Sequence, residues 1–423
     1  MKTPEMNTTT NQQESQVISL NTSLVCQNLI EETLRKGAQQ MLQRAIEEEV
    51  SQYIEGHQSQ LDSKGHRLVT RNGQKPGRTI QTGQGPIEIQ QPRVNDRREG
   101  HRFTSNILPP YLRRVASIDN LVPALYLRGI STNAMQEALE AILGTQATGL
   151  SPANVQRLKG IWEDQQEKWQ QRSLENKRYV YLWADGIYFK VRLNDERPCV
   201  LVVVGALADG TKELVVLYDG QRESKMSWKE LLSDLKNRGL TQVPKVAVGD
   251  GALGFWSALE EEFPGTTQQR CWVHKTANVL DKMAKCVQSS AKKRIHDIYL
   301  APTRKEAHEA WDEFDKLYGL KYPKAVACLE KDKEQLLAFY DYPAEHWSHL
   351  RTTNPIESTF AGVRHRTRQT KGCGSRNATL AMVYQLLRQA EKGWRRLNGF
   401  NQLDKVIADV VFVDGVEQST KIA

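Results

Sequence analysis

The chain has 423 residues, 39% of them hydrophobic, and a net charge of +8 from 58 Lys and Arg against 50 Asp and Glu. That length and apolar content call for two to four domains with sizeable cores and exclude a wholly disordered chain, while the basic balance favours a polyanionic partner. Six cysteines without a repeating spacing argue against a disulfide framework, the longest apolar run (200–208) is too short to span a bilayer, and the N-terminus has no signal pattern, so a cytoplasmic protein is expected.

Residues 1–25, rich in Thr, Asn, Gln and Ser, read as a disordered tail. From 29 to 54 apolar residues at 34, 38, 41, 42, 45, 50, 53 and 54 recur with a helical period, which predicts a helix needing a partner on one face. Residues 60–115 carry eleven Lys or Arg against four acids. Within them "TIQTGQGPIEIQQPRV" alternates on either side of Gly83-Gln84-Gly85, a hairpin pattern. Next, "SIDNLVPALYLRGISTNAMQEALEAILG" places two helical stretches around Gly129, with Ser131 or Thr132 as cap. That is the spacing of a helix-turn-helix or of an ordinary helical hairpin, and the basic block beside it favours DNA. Residues 26–150 are therefore read as an N-terminal, mainly helical DNA-binding region, with Arg113, Arg114 and Arg128 as candidate contacts.

A linking helix is expected over 151–177. "RYVYLWADGIYFKVR", "CVLVVVGALAD" and "KELVVLYDG" are three strand-like runs, followed by the helix "SWKELLSDLKNRGL" and a fourth strand, "KVAVGD". Three strands, helix, strand, helix, strand is the order of a ribonuclease-H-like α/β core, whose first part is placed at 178–275. Residues 276–350 read as an all-helical insertion, with a capping box at Thr303–Glu306 and Trp311, Phe314, Leu317 and Tyr318 on one face. The last part of the core falls at 351–400 and a C-terminal tail at 401–423.

The G-D-G-A-L-G of 249–254 has the look of a dinucleotide loop, but Asp250 would face the phosphates, no acid lies in 266–275 for a ribose, and three strands precede it. As a metal ligand, Asp250 at a strand end is uncrowded between glycines and finds a partner in Asp185, an acid in an apolar run; either could instead be a turn residue. Glu357 is the third candidate. Asn354, Pro355 and Glu357 suit a helix start, with Glu357 as a capping residue, yet Arg364 and Arg368 return to its face and set a carboxylate at the head of a basic stripe, near Lys371. Cys271 and His274 form a C-x-x-H pair, two ligands where a structural zinc needs four, which favours a structural role. Trp256 and Trp272 flank the site as base-stacking or core residues.

The blocks "WADGIYFKVR", "GDGALGFWSAL", "QRCWVHK" and "TNPIESTFAGVRHRTRQTKG" resemble those of bacterial insertion-sequence transposases of the Mutator-like family, over about residues 30–400. The resemblance implies a DDE-type enzyme with Asp185, Asp250 and Glu357 as catalytic triad and ligands of two Mg2+ ions, replaceable by Mn2+. It also implies terminal inverted repeats and a target duplex as DNA partners, a homodimer or larger assembly, and residence at the nucleoid. A DNA-binding protein on an inactive core, and a plain ribonuclease-H-like nuclease, are the other expectations to be tested.

Overall fold

The computed structural model describes residues 9–131, 134–143, 152–189, 199–220, 222–369 and 375–418, the side chains of 9–28 and 152–154 excepted. The chain divides into two compact units, Met1–Gln156 and Arg157–Ala423.

In the first unit helix α1 (Thr9–Glu55) is followed by four short strands, β1 (Val69–Gln74), β2 (Arg78–Thr82), β3 (Gly85–Ile89) and β4 (Pro92–Asp96). The hairpin forms where the alternation predicts it: β2 and β3 pair antiparallel with Thr82 opposite Gly85, and Gly85 takes φ +100°. A second antiparallel pair, β1 with β4, flanks it. The covered face of α1 follows a four-residue step, Ala38, Leu42, Ile46 and Val50, and Ile46 packs with Ile80, Ile87, Ile89 and Leu108. Met41, counted in the predicted stripe, points away and is 75% exposed, because it sits one position off that step. Gln39 and Gln43 of α1 bond the carbonyls of Glu88 and Gln90, so side chains take up part of the strand's free edge. The helix reaches back to Thr9, into the stretch read as a disordered tail; its polar residues carry only small helix penalties, and elongation of an established helix is cheap.

Helices α2 (Ala116–Leu127) and α3 (Met135–Leu143) complete this unit. Gly129 makes the turn at φ +112°, and Ser131 Oγ accepts the N–H of Ala134, the residue before α3; Thr132 lies outside the described residues. Helix α4 (Pro152–Gln170) covers the predicted linking segment.

The second unit is built on a five-stranded mixed sheet. Its strands are β5 (Tyr179–Tyr188), β6 (Cys199–Leu207), β7 (Lys212–Gly220), β8 (Val246–Gly249) and β9 (Thr267–Arg270), in the order β7-β6-β5-β8-β9. The first three are antiparallel, and β8 and β9 join in parallel. The central strand β5 is covered on both sides, which explains its unbroken apolar run. One face packs on α5 (Lys225–Asn237) and α6 (Leu253–Glu262), where Leu182, Ala184 and Ala247 meet Leu231, Leu235 and Leu259. The opposite residues of β5 point elsewhere: Tyr181 bonds His346, and Trp183 Nε1 donates to the His349 carbonyl.

Between β9 and the last long helices lie α7 (Trp272–Leu280), α8 (Lys285–Tyr299), α9 (Arg304–Tyr318), α10 (Pro323–Glu330), α11 (Lys333–Leu337) and α12 (Trp347–Leu350). Thr303 caps α9 through the Glu306 N–H, and Trp311 and Phe314 are buried. Leu317, expected on the same face, is 56% exposed, since a six-residue step from Trp311 turns it about 120° away. Helices α13 (Asn354–Gln369) and α14 (Arg376–Glu391) follow. The stretch read as a tail is folded through α15 (Leu403–Ile407) and a hairpin of β10 (Phe412–Val413) and β11 (Val416–Glu417), whose Gly415 N–H bonds the Tyr340 carbonyl. No described helix is long and apolar enough to cross a membrane.

Candidate active site

The pairing of β5 with β8 runs from Tyr181–Val246 to Ala184–Gly249, and one further step sets Asp185 beside Asp250. Neighbouring strands lie about 4.8 Å apart, so the two acids share one end of the sheet. Each carboxylate is held by a nearby backbone N–H: within β5 Asp185 Oδ1 accepts the Gly186 N–H at 2.8 Å, and in the loop after β8 Asp250 Oδ1 accepts the Ala252 N–H at 2.8 Å.

The glycines around Asp250 are spoken for. Gly251 has φ +85°, and a Cβ there would collide with the Arg270 guanidinium; a Cβ on Gly254 would meet the Lys225 amide N and the Ser224 carbonyl carbon. Both glycines are thus accounted for by close contacts with the chain itself.

Glu357 approaches from α13. The Thr353 carbonyl accepts the Glu357 N–H, so the helix start is satisfied by backbone, and the carboxylate is turned to His274 instead, Oε1 to Nε2 3.0 Å. Ligand atoms of Asp185, His274 and Glu357 all lie within 4.8 Å of one another. Asp250 stands outside that tight group but is felt by it electrostatically.

Burial is the main cause that pushes the Asp185 carboxyl up to about 6; His274 opposes it, and the charges of Asp250 and Glu357 add to it. His274 is pushed up to about 9, chiefly by its interaction with the Cys271 thiol and further by Asp185 and Glu357, against a desolvation cost. Burial pushes the Cys271 thiol up, but the neighbouring imidazole outweighs it and holds the thiol below its ordinary value. A protonated imidazole among acids is what the geometry favours when no cation is there to neutralise them.

The C-x-x-H pair thus divides its work. Cys271 is fully buried; its N–H bonds the Gly249 carbonyl at 2.8 Å and its Sγ accepts the Thr353 N–H at 3.4 Å, tying β8, β9 and the start of α13 together. His274 alone faces the acids. Trp272 is core, with Nε1 donating to the Leu336 carbonyl, and Trp256 is half-buried against Phe255.

Two residues escaped the sequence reading. Glu223, in the loop before α5, lies over Gly186, where a Cβ would collide with its carboxylate. Burial pushes its carboxyl up to about 7, with Asp250 and Asp185 adding to the rise. Arg270 is buried over Gly251 and reaches Asp332, which also accepts from Lys275 at 2.6 Å. Arg270 lies inside the block "QRCWVHK" but was given no role there; the local signal for Glu223 is its place before the capping Ser224 of α5.

The candidate DNA contacts fall as follows. Arg364 and Arg368 lie on the exposed face of α13 that leads away from Glu357, Arg364 over the Phe360 ring. Lys371 is outside the described residues. In the first unit Arg113 is exposed, Arg114 is ion-paired with Asp119, and Arg128 is the exposed C-cap of α2.

A family model described as "Transposase, Mutator family" matches residues 7–397. The transposase for insertion sequence element IST2 of Acidithiobacillus ferrooxidans is 51% identical over 289 residues, 67% of this chain and 95% of that one. The transposase for IS6120 of Mycolicibacterium smegmatis is 50% identical over 307 residues, 72% and 94% of the two chains, and that for ISRM5 of Rhizobium meliloti is 27% identical over 379 residues, 88% and 91%. The family match spans both units, residues 7–397, and the relatives are similar over two thirds or more of the chain: the chain belongs to the Mutator family of transposases.

Proposed function

We propose that this transposase binds the terminal inverted repeats of its insertion sequence and catalyses metal-dependent strand cleavage and strand transfer, as a DDE-type enzyme on a ribonuclease-H-like core. The observation that carries the reading is the convergence of three acids, distant in sequence, at one end of a mixed sheet: Asp185 from β5, Asp250 from the end of β8 and Glu357 from the first turn of α13. The sheet order, three antiparallel strands extended by two parallel ones, supports the core assignment.

The donor set fits a hard divalent cation. Carboxylate oxygens suit Mg2+ or Mn2+, and one imidazole beside them is compatible with either. Asp185, Asp250 and Glu357 would hold two such ions, which when bound polarise the scissile phosphate and activate the attacking water or 3′-OH. The chain's own groups do the rest. The Gly186 and Ala252 N–H groups fix the two aspartates, His274 holds a proton at Nε2 against Glu357, and Arg364 and Arg368 meet phosphates along α13. Residues 26–150 supply repeat recognition, the target duplex is bound with little sequence preference, and a homodimer or larger assembly holds two ends at once.

The test is a cleavage and joining assay on oligonucleotide duplexes bearing the element's own ends, with Mg2+, with Mn2+ and after EDTA. Metal-restored cutting followed by joining is expected. Cutting without joining would make the chain a nuclease, and repeat binding without cutting an inactive DNA-binding protein; either result overturns the proposal.

A further inference from the structure

The first unit contains a cleft of about 570 Å³ between the β2–β3 hairpin and the segment that leads to α2. Four cations line it, Lys75, Arg78, Arg102 and Arg113, and among the described residues no acid does. Two aromatic rings complete its wall, Phe103 and Tyr111. Phe103 is fixed from behind by Tyr53, ring centres 4.8 Å apart, and Arg78 is held by the Pro109 carbonyl at 3.2 Å. The like charges are close enough to be felt: burial first, then Arg102, Arg78 and Arg93, hold the Lys75 ammonium below its ordinary value.

Tyr111 is the unusual member. It is 93% exposed and sits at φ +65°, a conformation that costs a tyrosine energy and suits Gly or Asn. Packing does not call for the ring, and the backbone disfavours it, so its presence at the rim of a cationic cleft points to a ligand. Four cations with no acid require an anion of high charge density. An aromatic wall adds a flat apolar group joined to that anion. A paired base hides its faces in the duplex stack, whereas an unpaired one offers them to a ring.

We propose that this cleft holds an unpaired nucleotide of a DNA strand, its phosphates among Lys75, Arg78, Arg102 and Arg113 and its base against Tyr111 and Phe103. The proposal rests on the reading that this unit handles DNA, and adds that it takes hold of a strand opened out of the duplex.

Binding of fluorescein-labelled dT10 and of a 20-base-pair duplex to the full chain, followed by anisotropy over a range of salt, tests it. Tyr111→Asn keeps the backbone geometry and should weaken dT10 binding about five-fold or more, with duplex affinity, salt dependence and melting temperature not lowered. The double variant Arg78→Gln with Arg102→Gln should weaken dT10 binding further and flatten its log–log salt slope by about 1.4, two phosphates' worth for a single strand. Unchanged dT10 affinity in both variants, with duplex still bound, overturns the cleft and leaves the DNA reading standing. Equal losses on dT10 and duplex in the arginine variant, with none for Tyr111→Asn, reduce the cleft to a phosphate surface and also overturn the proposal. Failure of the wild-type chain to bind either probe overturns both readings.

Discussion

His274 Nε2 stands 3.0 Å from Glu357 Oε1, an ion pair that joins the first turn of α7 to the first turn of α13. Because the Thr353 carbonyl, not the Glu357 carboxylate, meets the first N–H groups of α13, helix stability does not depend on the acid. Glu357→Gln should therefore melt within about 1 kcal/mol of wild type while cleavage and joining fall by roughly 10³-fold or more. Cleavage at the wild-type rate in a well-folded Glu357→Gln chain would remove Glu357 from the mechanism. In that variant the imidazole also loses one anion, so its NMR-titrated pKa should drop from the region of 9.

Asp185 gives a prediction of opposite sign for stability and activity. Its folded-state pKa, about 6, lies above the unfolded value, so the folded chain holds the proton more tightly. The stabilisation from that proton is complete below about pH 4 and lost as pH rises through 6. A shift of this size corresponds to about 2 to 3 kcal/mol. In EDTA, Asp185→Asn should melt well above wild type at pH 8 and equal to it at pH 4, with cleavage abolished throughout. A wild-type chain that melts higher than the variant at pH 8 would contradict the assigned cost of burying this charge.

Zinc gives a third test. Cys271 turns its sulfur to Thr353 rather than to the acids, and among the described residues the only cluster with metal-ligating spacing is Asp185, His274 and Glu357. Purified protein should carry well under one zinc per chain by elemental analysis, and Cys271→Ser should lower the melting temperature without changing metal content. Stoichiometric zinc that is lost in Cys271→Ser would show the sulfur to be a ligand.

The fourth concerns Glu223. Gly186→Ala would place a methyl group in the space its carboxylate occupies, so the acid must move. If that carboxylate assists cation binding, Gly186→Ala and Glu223→Gln should both weaken Mn2+ binding, read by calorimetry, by about 10- to 100-fold, the size expected of an outer partner of a metal site. Affinity equal to wild type in both would make Glu223 a bystander.

Much of this site was legible in the sequence because its acids interrupt strong patterns. Asp185 breaks an apolar strand and Asp250 sits between glycines at a strand end, so each stands out against its surroundings. Glu357 was ambiguous for a physical reason: its position suits a capping box as well as a site ligand, and what turns its carboxylate, the contact with His274, is a tertiary one that local spacing does not show. The contact of His274 with Glu357 and the place of Glu223 over Gly186 were not legible because they depend on tertiary register and not on local spacing. In the fold, the β1–β4 pair went unread since its strands are polar and exposed, while the helix face at Ile46 was displaced by weighting Met41, an apolar residue that the structure leaves in solvent.

The helices between α7 and α13 begin and end at one place. The Trp272 N–H bonds the Arg351 carbonyl at 2.9 Å, the Thr353 N–H bonds the Cys271 sulfur, and the Trp272 indole donates to the Leu336 carbonyl. Closed at such a neck, the helical excursion is a handle attached to the five-stranded sheet by its base. Lengthening a closed loop costs only the logarithm of its size, so the turns that join α8 to α9 and α9 to α10 can receive a foreign segment while the distance from His274 to Glu357 stays as the neck sets it. A protease cut in the outer part of the handle should likewise leave two pieces that travel together and keep their site.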